Sequence, residues 1–145
     1  MKRFSLYTLP WLALAIAATL GMSCQVRAAT IGLHLGSKHE AQGMNNVNPG
    51  VYVRDARGWT AGAYLNSVCR ASLYVGRTWE SPQWHGLSAA VTVGAVTGYE
   101  RSVTALLVPS VAYSGAIGTV RLGIVPRPPV AGGQGALHLM VERAL

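Results

Sequence analysis

From residue 29 to the C-terminus the chain has no apolar run near the ~20 consecutive residues that a spanning helix requires. It is cut instead into short segments in which apolar and polar side chains alternate, separated by Gly, Pro, Asn and Asp. Eight such segments can be read, over residues 30–37, 50–56, 58–67, 70–79, 86–97, 103–114, 116–125 and 135–144. Alternation with period two puts successive side chains on opposite faces of a strand, so the chain is expected to be all-β. Composition closes two other routes. At 50% hydrophobic and 12% charged it can bury enough surface to offset its ordering entropy, which excludes disorder, and it lacks the heptads of a coiled coil.

The first 28 residues stand apart. Lys2 and Arg3 precede an apolar run from Leu9 to Leu20 and small residues near Ala28 and Ala29, the pattern of a secretory signal peptide cleaved after Ala28. Cys24 raises the alternative of a lipoprotein, although Gly21 stands where a lipobox prefers Leu. Removing 1–28 takes Lys2, Arg3 and Arg27 from 12 basic side chains against 5 acidic ones. The excess that remains is too modest for a nucleic-acid partner. It also leaves Cys69 alone, so the exported domain, 29–145, cannot hold an internal disulfide.

Short alternating strands and turns in a single exported domain are the signature of a closed eight-stranded, antiparallel, up-and-down barrel of the outer-membrane type. The alternation says which face meets lipid. Leu137, Leu139 and Val141 share one face of the last segment, opposite Ala136, His138, Met140 and Glu142. Val120 and Leu122 likewise oppose Thr119, Arg121 and Gly123, and Leu73 and Val75 oppose Tyr74 and Gly76. An eight-stranded barrel is just wide enough to be filled by its own side chains or to hold one narrow ligand. Small inward residues such as Ser88, Ala90, Thr92 and Gly94 therefore predict a slot.

Trp59, Trp79 and Trp84 fall beside the turns at 55–58 and 80–85, where an interfacial girdle would lie; the alternative is that they cap a soluble core. In an up-and-down barrel alternate connections share an end. The longer loops at 38–49, 66–70, 98–101 and 127–133 then lie together, opposite the short turns.

The stretch Leu106-Leu107-Val108-Pro109-Ser110, then Ile124-Val125-Pro126 and a Gly-rich loop before the last strand, resembles the outer-membrane lipid A palmitoyltransferases. Tyr64-Leu65-Asn66-Ser67, Val75-Gly76-Arg77-Thr78-Trp79-Glu80-Ser81 and Asn48-Pro49-Gly50 are similar to the same family. The resemblance implies an acyltransferase that moves an acyl chain from a phospholipid to lipid A, as an outer-membrane monomer without cofactor. It implies a catalytic set at His34 and Ser67, with Asn66 where the family has Asp. It implies that Pro49, Pro109 and Pro126 border lateral gaps through which acyl chains pass. And it places Thr78, beyond Gly76, at the floor of the acyl slot, where the family has Gly.

Strand parity alone puts His34 and Ser67 at one rim. Without the resemblance His34 reads equally well as a histidine with no chemistry. Pro49, Pro109 and Pro126 lack an N–H and can simply end their ladders. His39, His85 and His138 have no ligand spacing, so no metal is expected. The C-terminus, Glu142-Arg143-Ala144-Leu145, is not aromatic, and the helix before the first strand is expected to be absent or very short. A second expectation therefore stands beside the enzyme: a non-catalytic small barrel, either a structural outer-membrane protein or a periplasmic lipid-binding module.

Overall fold

The structure, a computed structural model, describes residues 29–127 and 135–145. The expected signal peptide, and most of the loop before the last strand, lie outside these residues.

Eight strands close into a barrel in which each pairs antiparallel with its neighbours in sequence and the last pairs with the first. They are β1 (Thr30–His39), β2 (Val47–Arg54), β3 (Trp59–Leu65), β4 (Ala71–Glu80), β5 (Leu87–Val96), β6 (Thr104–Gly115), β7 (Gly118–Val125) and β8 (Ala136–Ala144). The alternating segments thus become the strands. At one end β2 turns into β3 through Asp55, whose carboxylate accepts from the N–H groups of Arg57 and Trp59. Gly58 completes this turn at φ +86°, a conformation that costs a glycine nothing. Both chain ends of the barrel lie at this turn end, where Leu145 N–H donates to the Ala29 carbonyl at 2.7 Å. The longer loops lie at the other end.

The distribution of side chains is inverted relative to a water-soluble protein. The outward face exposes Leu33, Val51, Leu73, Val75, Leu107, Val120, Ile124, Leu137 and Leu139, with Leu73 64% exposed. Among the described residues the buried side chains are mostly polar, namely His34, Asn48, Thr60, Asn66, Ser72, Thr78, Ser88, Ser110, Arg121 and Glu142, with Tyr52, Val96, Ala112 and Met140 as the apolar members. Trp59, Trp79, Trp84 and Tyr113 are exposed at the turn end, and the Arg77 guanidinium lies 5.4 Å from the centre of the Trp79 ring. They lie on the outside of the barrel, over the arc from β3 to β6, and do not cap its interior.

Several inward glycines sit where an added side chain would meet a large neighbour. A side chain at Gly32 would land on the ring of Tyr52, one at Gly50 on Tyr64, and one at Gly62 on Tyr52 and Tyr74. Gly32, Gly50 and Gly62 are thus covered by tyrosines from adjacent strands, a pairing that lets strongly curved strands stay packed, whereas backbone lies closest to Gly76 and Gly94.

Candidate functional site

Two hydrogen-bonded polar clusters stand out among the inward side chains. Nearer the turn end, Arg54 of β2, Glu80 of β4, Arg121 of β7 and Glu142 of β8 converge. Arg121 Nε donates to Glu142 Oε1 at 2.7 Å and its Nη2 to Glu80 at 3.0 Å, while Arg54 Nη2 meets Glu142 Oε2 at 2.9 Å. Tyr52 O–H donates to Glu142, Ser88 O–H to Glu80, and Arg121 to Ser110 Oγ at 3.1 Å. Two cations face two anions, and among the described residues no buried side-chain polar atom lacks a partner. A buried charge network holds only when every member is satisfied in this way. It spans four strands and latches that half of the lumen.

The second cluster centres on His34. β1 runs to His39 with a bulge between His34 and Gly36, so His34 sits at mid-strand, paired with Gly50 and Met140, and not at the rim that parity suggested. The bulge also turns Ser37 inward. His34 Nδ1 lies 2.7 Å from His138 Nε2, His34 Nε2 lies 3.0 Å from Tyr74 Oη, and His138 Nδ1 lies 2.9 Å from Ser37 Oγ. Ser37 Oγ also touches Asn48 Oδ1. The rings of Tyr52 and Tyr64 pack around the His34 ring at 5.0 and 5.1 Å between centres.

The direction of every bond in this row follows from one amide. Asn48 Nδ2 donates to the carbonyls of Leu65 at 3.0 Å and Asn45 at 3.3 Å, which leaves Asn48 Oδ1 as the acceptor facing Ser37. Ser37 therefore gives its proton to Asn48 and accepts from His138 Nδ1–H. His138 Nε2 must then accept from His34 Nδ1–H, and His34 Nε2 from the Tyr74 hydroxyl. Each neutral imidazole has one donor and one acceptor, and both are spent. A general base needs a lone pair within reach of the proton it removes, and the only one on His34 is occupied by Tyr74.

The structure does not bring His34, Asn66 and Ser67 together. Asn66 is fully buried in the turn between β3 and β4 and uses its whole amide there. Its Nδ2 donates to Ser72 Oγ at 3.0 Å and the Gly98 carbonyl at 2.9 Å, and its Oδ1 accepts from Val68 N–H and Arg70 N–H. Ser67 contributes a backbone carbonyl to Asn45 N–H at 2.9 Å. Among the described residues no hydrogen bond links His34 to either.

Thr78 and Gly76 are buried and face the lumen, and the Thr78 hydroxyl bonds Thr60 at 2.9 Å and Thr92 at 2.8 Å. The three prolines mark seams. The β2–β3 ladder begins at Gly50 with Tyr64, just below Pro49; above it the Asn48 and Asn45 side chains bridge to the carbonyls of Leu65 and Asn66. The β6–β7 ladder begins at Ser110 with Gly123, so Thr104 to Pro109 have no partner on β7, and Pro126 follows the end of β7 across the same seam. Val108 and Met140 fold over Gly123 beside it.

Sequence reading singled out His34 but not its partners Ser37, Asn48, Tyr74 and His138, nor the latch. Inward parity of Arg121 and Glu142 was the available signal for the latch. Among the described residues no three His, Cys, Asp or Glu side chains gather as metal ligands. Compared with protein-family models and with the curated proteins, the chain matches none.

Proposed function

We propose that the chain is a barrel that spans the outer membrane as a closed, non-catalytic structural element. The observation that carries this is the inverted face: an apolar belt around the whole outside, and a lumen of hydrogen-bonded and ion-paired side chains. Water would not tolerate such a belt, whereas hydrocarbon requires it together with a sheet that has no edge. Exposed leucine and valine on the outside also disfavour a soluble periplasmic module. The spent nitrogens of His34 and the latched lumen favour a structural role over catalysis. The test is reconstitution of residues 29–145 with phospholipid vesicles. A spanning barrel floats with the vesicles, survives an alkaline wash and is protected from protease; a protein that stays folded and monomeric in buffer without detergent overturns the proposal.

A second reading is favoured by one observation, the unladdered seam between β6 and β7 with Pro109 and Pro126 on its two sides. In this reading the barrel is an acyltransferase that moves an acyl chain from phospholipid to lipid A. The chain would pass the wall beside Leu106 and Val108, and the slot would run down past Gly76 toward Thr78. His34 would have to release Tyr74 before acting as a base. Mass spectrometry of lipid A from cells with and without the protein decides it: an acyl chain added only when the protein is present supports transfer, and identical spectra remove it.

A further inference from the structure

The bond directions in the His34 row also fix how many protons it can hold. The His34–Tyr74 bond crosses the lumen from β1 to β4, and His138 and Ser37 join β8 to β1. Asn48 carries the row to β2 and on to the Leu65 carbonyl at the end of β3. One added proton fits. The Tyr74 hydroxyl rotates, His34 Nε2–H donates to Tyr74 Oη, and His34 Nδ1–H still donates to His138. A second proton has only His138 Nε2 to occupy, where it meets His34 Nδ1–H across 2.7 Å, donor against donor between two like charges. The pair therefore takes up two protons only by parting.

The surroundings offer no counter-charge. β1 adds His39, half-buried and bonded to Asn46, and Lys38 at the rim. β2 brings Tyr52 and Arg54 to the lumen, β3 Tyr64, β4 Tyr74 and Glu80, β7 Arg121 and β8 Glu142. β5 has no titratable side chain, and that of β6, Tyr113, is exposed outside. Tyr99, from the loop after β5, bonds Tyr64 at 3.1 Å. Glu80 and Glu142 are taken by Arg54 and Arg121, and Glu40 turns to Gly135 N–H at the rim. Among the described residues no carboxylate bonds any member of the row. His138 is half-buried on the loop-end side of His34, so protons reach the pair from that end.

Histidine ordinarily changes charge between pH 5 and 8, whereas the charged members of the latch are Arg and Glu, which do not. We propose that the His34–His138 pair is an acid-sensitive catch: on mild acidification the second proton parts the rings, frees β4 from β1 and admits water to the loop-end half of the lumen, while the latch keeps the turn-end half shut. The acid form is a vestibule lined by two imidazolium groups, not a through-pore. The catch lies wholly in the lumen and does not depend on whether the barrel spans lipid.

The test is amide hydrogen exchange of residues 29–145 in micelles at pH 7.5 and pH 5, expressed as protection so that the intrinsic pH dependence of exchange drops out. Protection around Gly36 to His39, Val51, Tyr52 and Leu137 to Met140 is expected to fall about 10-fold or more, because each proton taken up on opening shifts the equilibrium about 10-fold per pH unit. Protection of Thr119 to Arg121, beside the latch, should stay within about 2-fold. His138→Gln keeps an acceptor for His34 without titrating and should abolish the response. An unchanged parent, a His138→Gln variant that responds like the parent, or an equal loss beside the latch overturns the proposal, and so does a response abolished by His39→Gln at the rim. If His138→Gln does not fold, nitrogen-15 spectra of the parent's imidazoles decide. His34 and His138 are both expected to carry their proton on Nδ1 at pH 7.5 and both to be doubly protonated in the acid form. An Nε2–H tautomer on His138 at pH 7.5, or an acid form with one neutral ring, overturns it.

Discussion

Replacing Asn66 with Asp separates the structural and catalytic readings of the loop end, because each predicts the opposite sign. If Asn66 stands in for an orienting carboxylate, Asp restores it and acyl transfer rises. The structure gives the reverse. Asn66 Nδ2 donates to Ser72 Oγ at 3.0 Å and to the Gly98 carbonyl at 2.9 Å, and the Ser72 proton is already given to the Thr97 carbonyl at 2.6 Å. Both partners therefore offer only lone pairs, and a carboxylate oxygen placed between them meets two acceptors. Losing two hydrogen bonds costs about 1 kcal/mol each, and a buried carbonyl left unpaired adds about 1–3 kcal/mol. Uptake of a proton by the Asp returns one donor, so the expected net loss is about 3 kcal/mol. Urea unfolding in micelles, followed by the fluorescence of the turn-end tryptophans, measures it. Ser67→Ala is the matched control, because Ser67 takes part through its backbone carbonyl; it should stay within about 0.5 kcal/mol of the parent. An Asn66→Asp variant as stable as the parent, with more acylated lipid A in its cells, would refute this reasoning and restore the catalytic assignment.

Three other outcomes follow from the packing. Leu139→Arg puts a charge on the lipid face and should destabilise the barrel in vesicles by about 2–4 kcal/mol, with a smaller loss in buffer-exposed micelles; no loss in vesicles means the face is misassigned. Glu142→Ala leaves Arg54 and Arg121 to share Glu80, and breaking such a buried pair costs about 3–5 kcal/mol, read by unfolding of the variant against the parent. Gly32→Ala drives a methyl into the ring of Tyr52; overpacking of this kind costs about 1–3 kcal/mol, and Gly32→Ala/Tyr52→Leu should recover part of it.

Much of the fold was legible because a period of two is a local property. The last segment shows Leu137 and Leu139 outward and His138 and Glu142 inward within six adjacent letters, and the structure has them so. Height along the barrel is not local. It depends on register, on strand tilt and on bulges, and the bulge after His34 both lengthens β1 past residue 37 and turns Ser37 toward His138, 101 positions away. Parity could put His34 and Ser67 at the same end but could not say that one lies at mid-wall and the other in a turn. Asn66 carried a misleading signal for the same reason: its partners Ser72 and Gly98 come from two other loop-end segments. Nor does the sequence show which large neighbour leans over a glycine, as Tyr52, Tyr64 and Tyr74 do over Gly32, Gly50 and Gly62.

The latch also bears on the order of assembly. Its four charges come from β2, β4, β7 and β8, and Glu142 arrives with the last strand. Until β8 docks, Arg54 and Arg121 have only Glu80 to share, and β1 and β7 each present an open edge. Closure pairs Thr30 with Ala144, nearly the full length of the domain apart, which is the kind of long-range contact that forms late and slowly. Edge removal, charge neutralisation and the Tyr52–Glu142 bond thus arrive in one step. A chain that stalls with seven strands has none of the three, so intermediates near the end of folding gain little stability and the final transition is sharp.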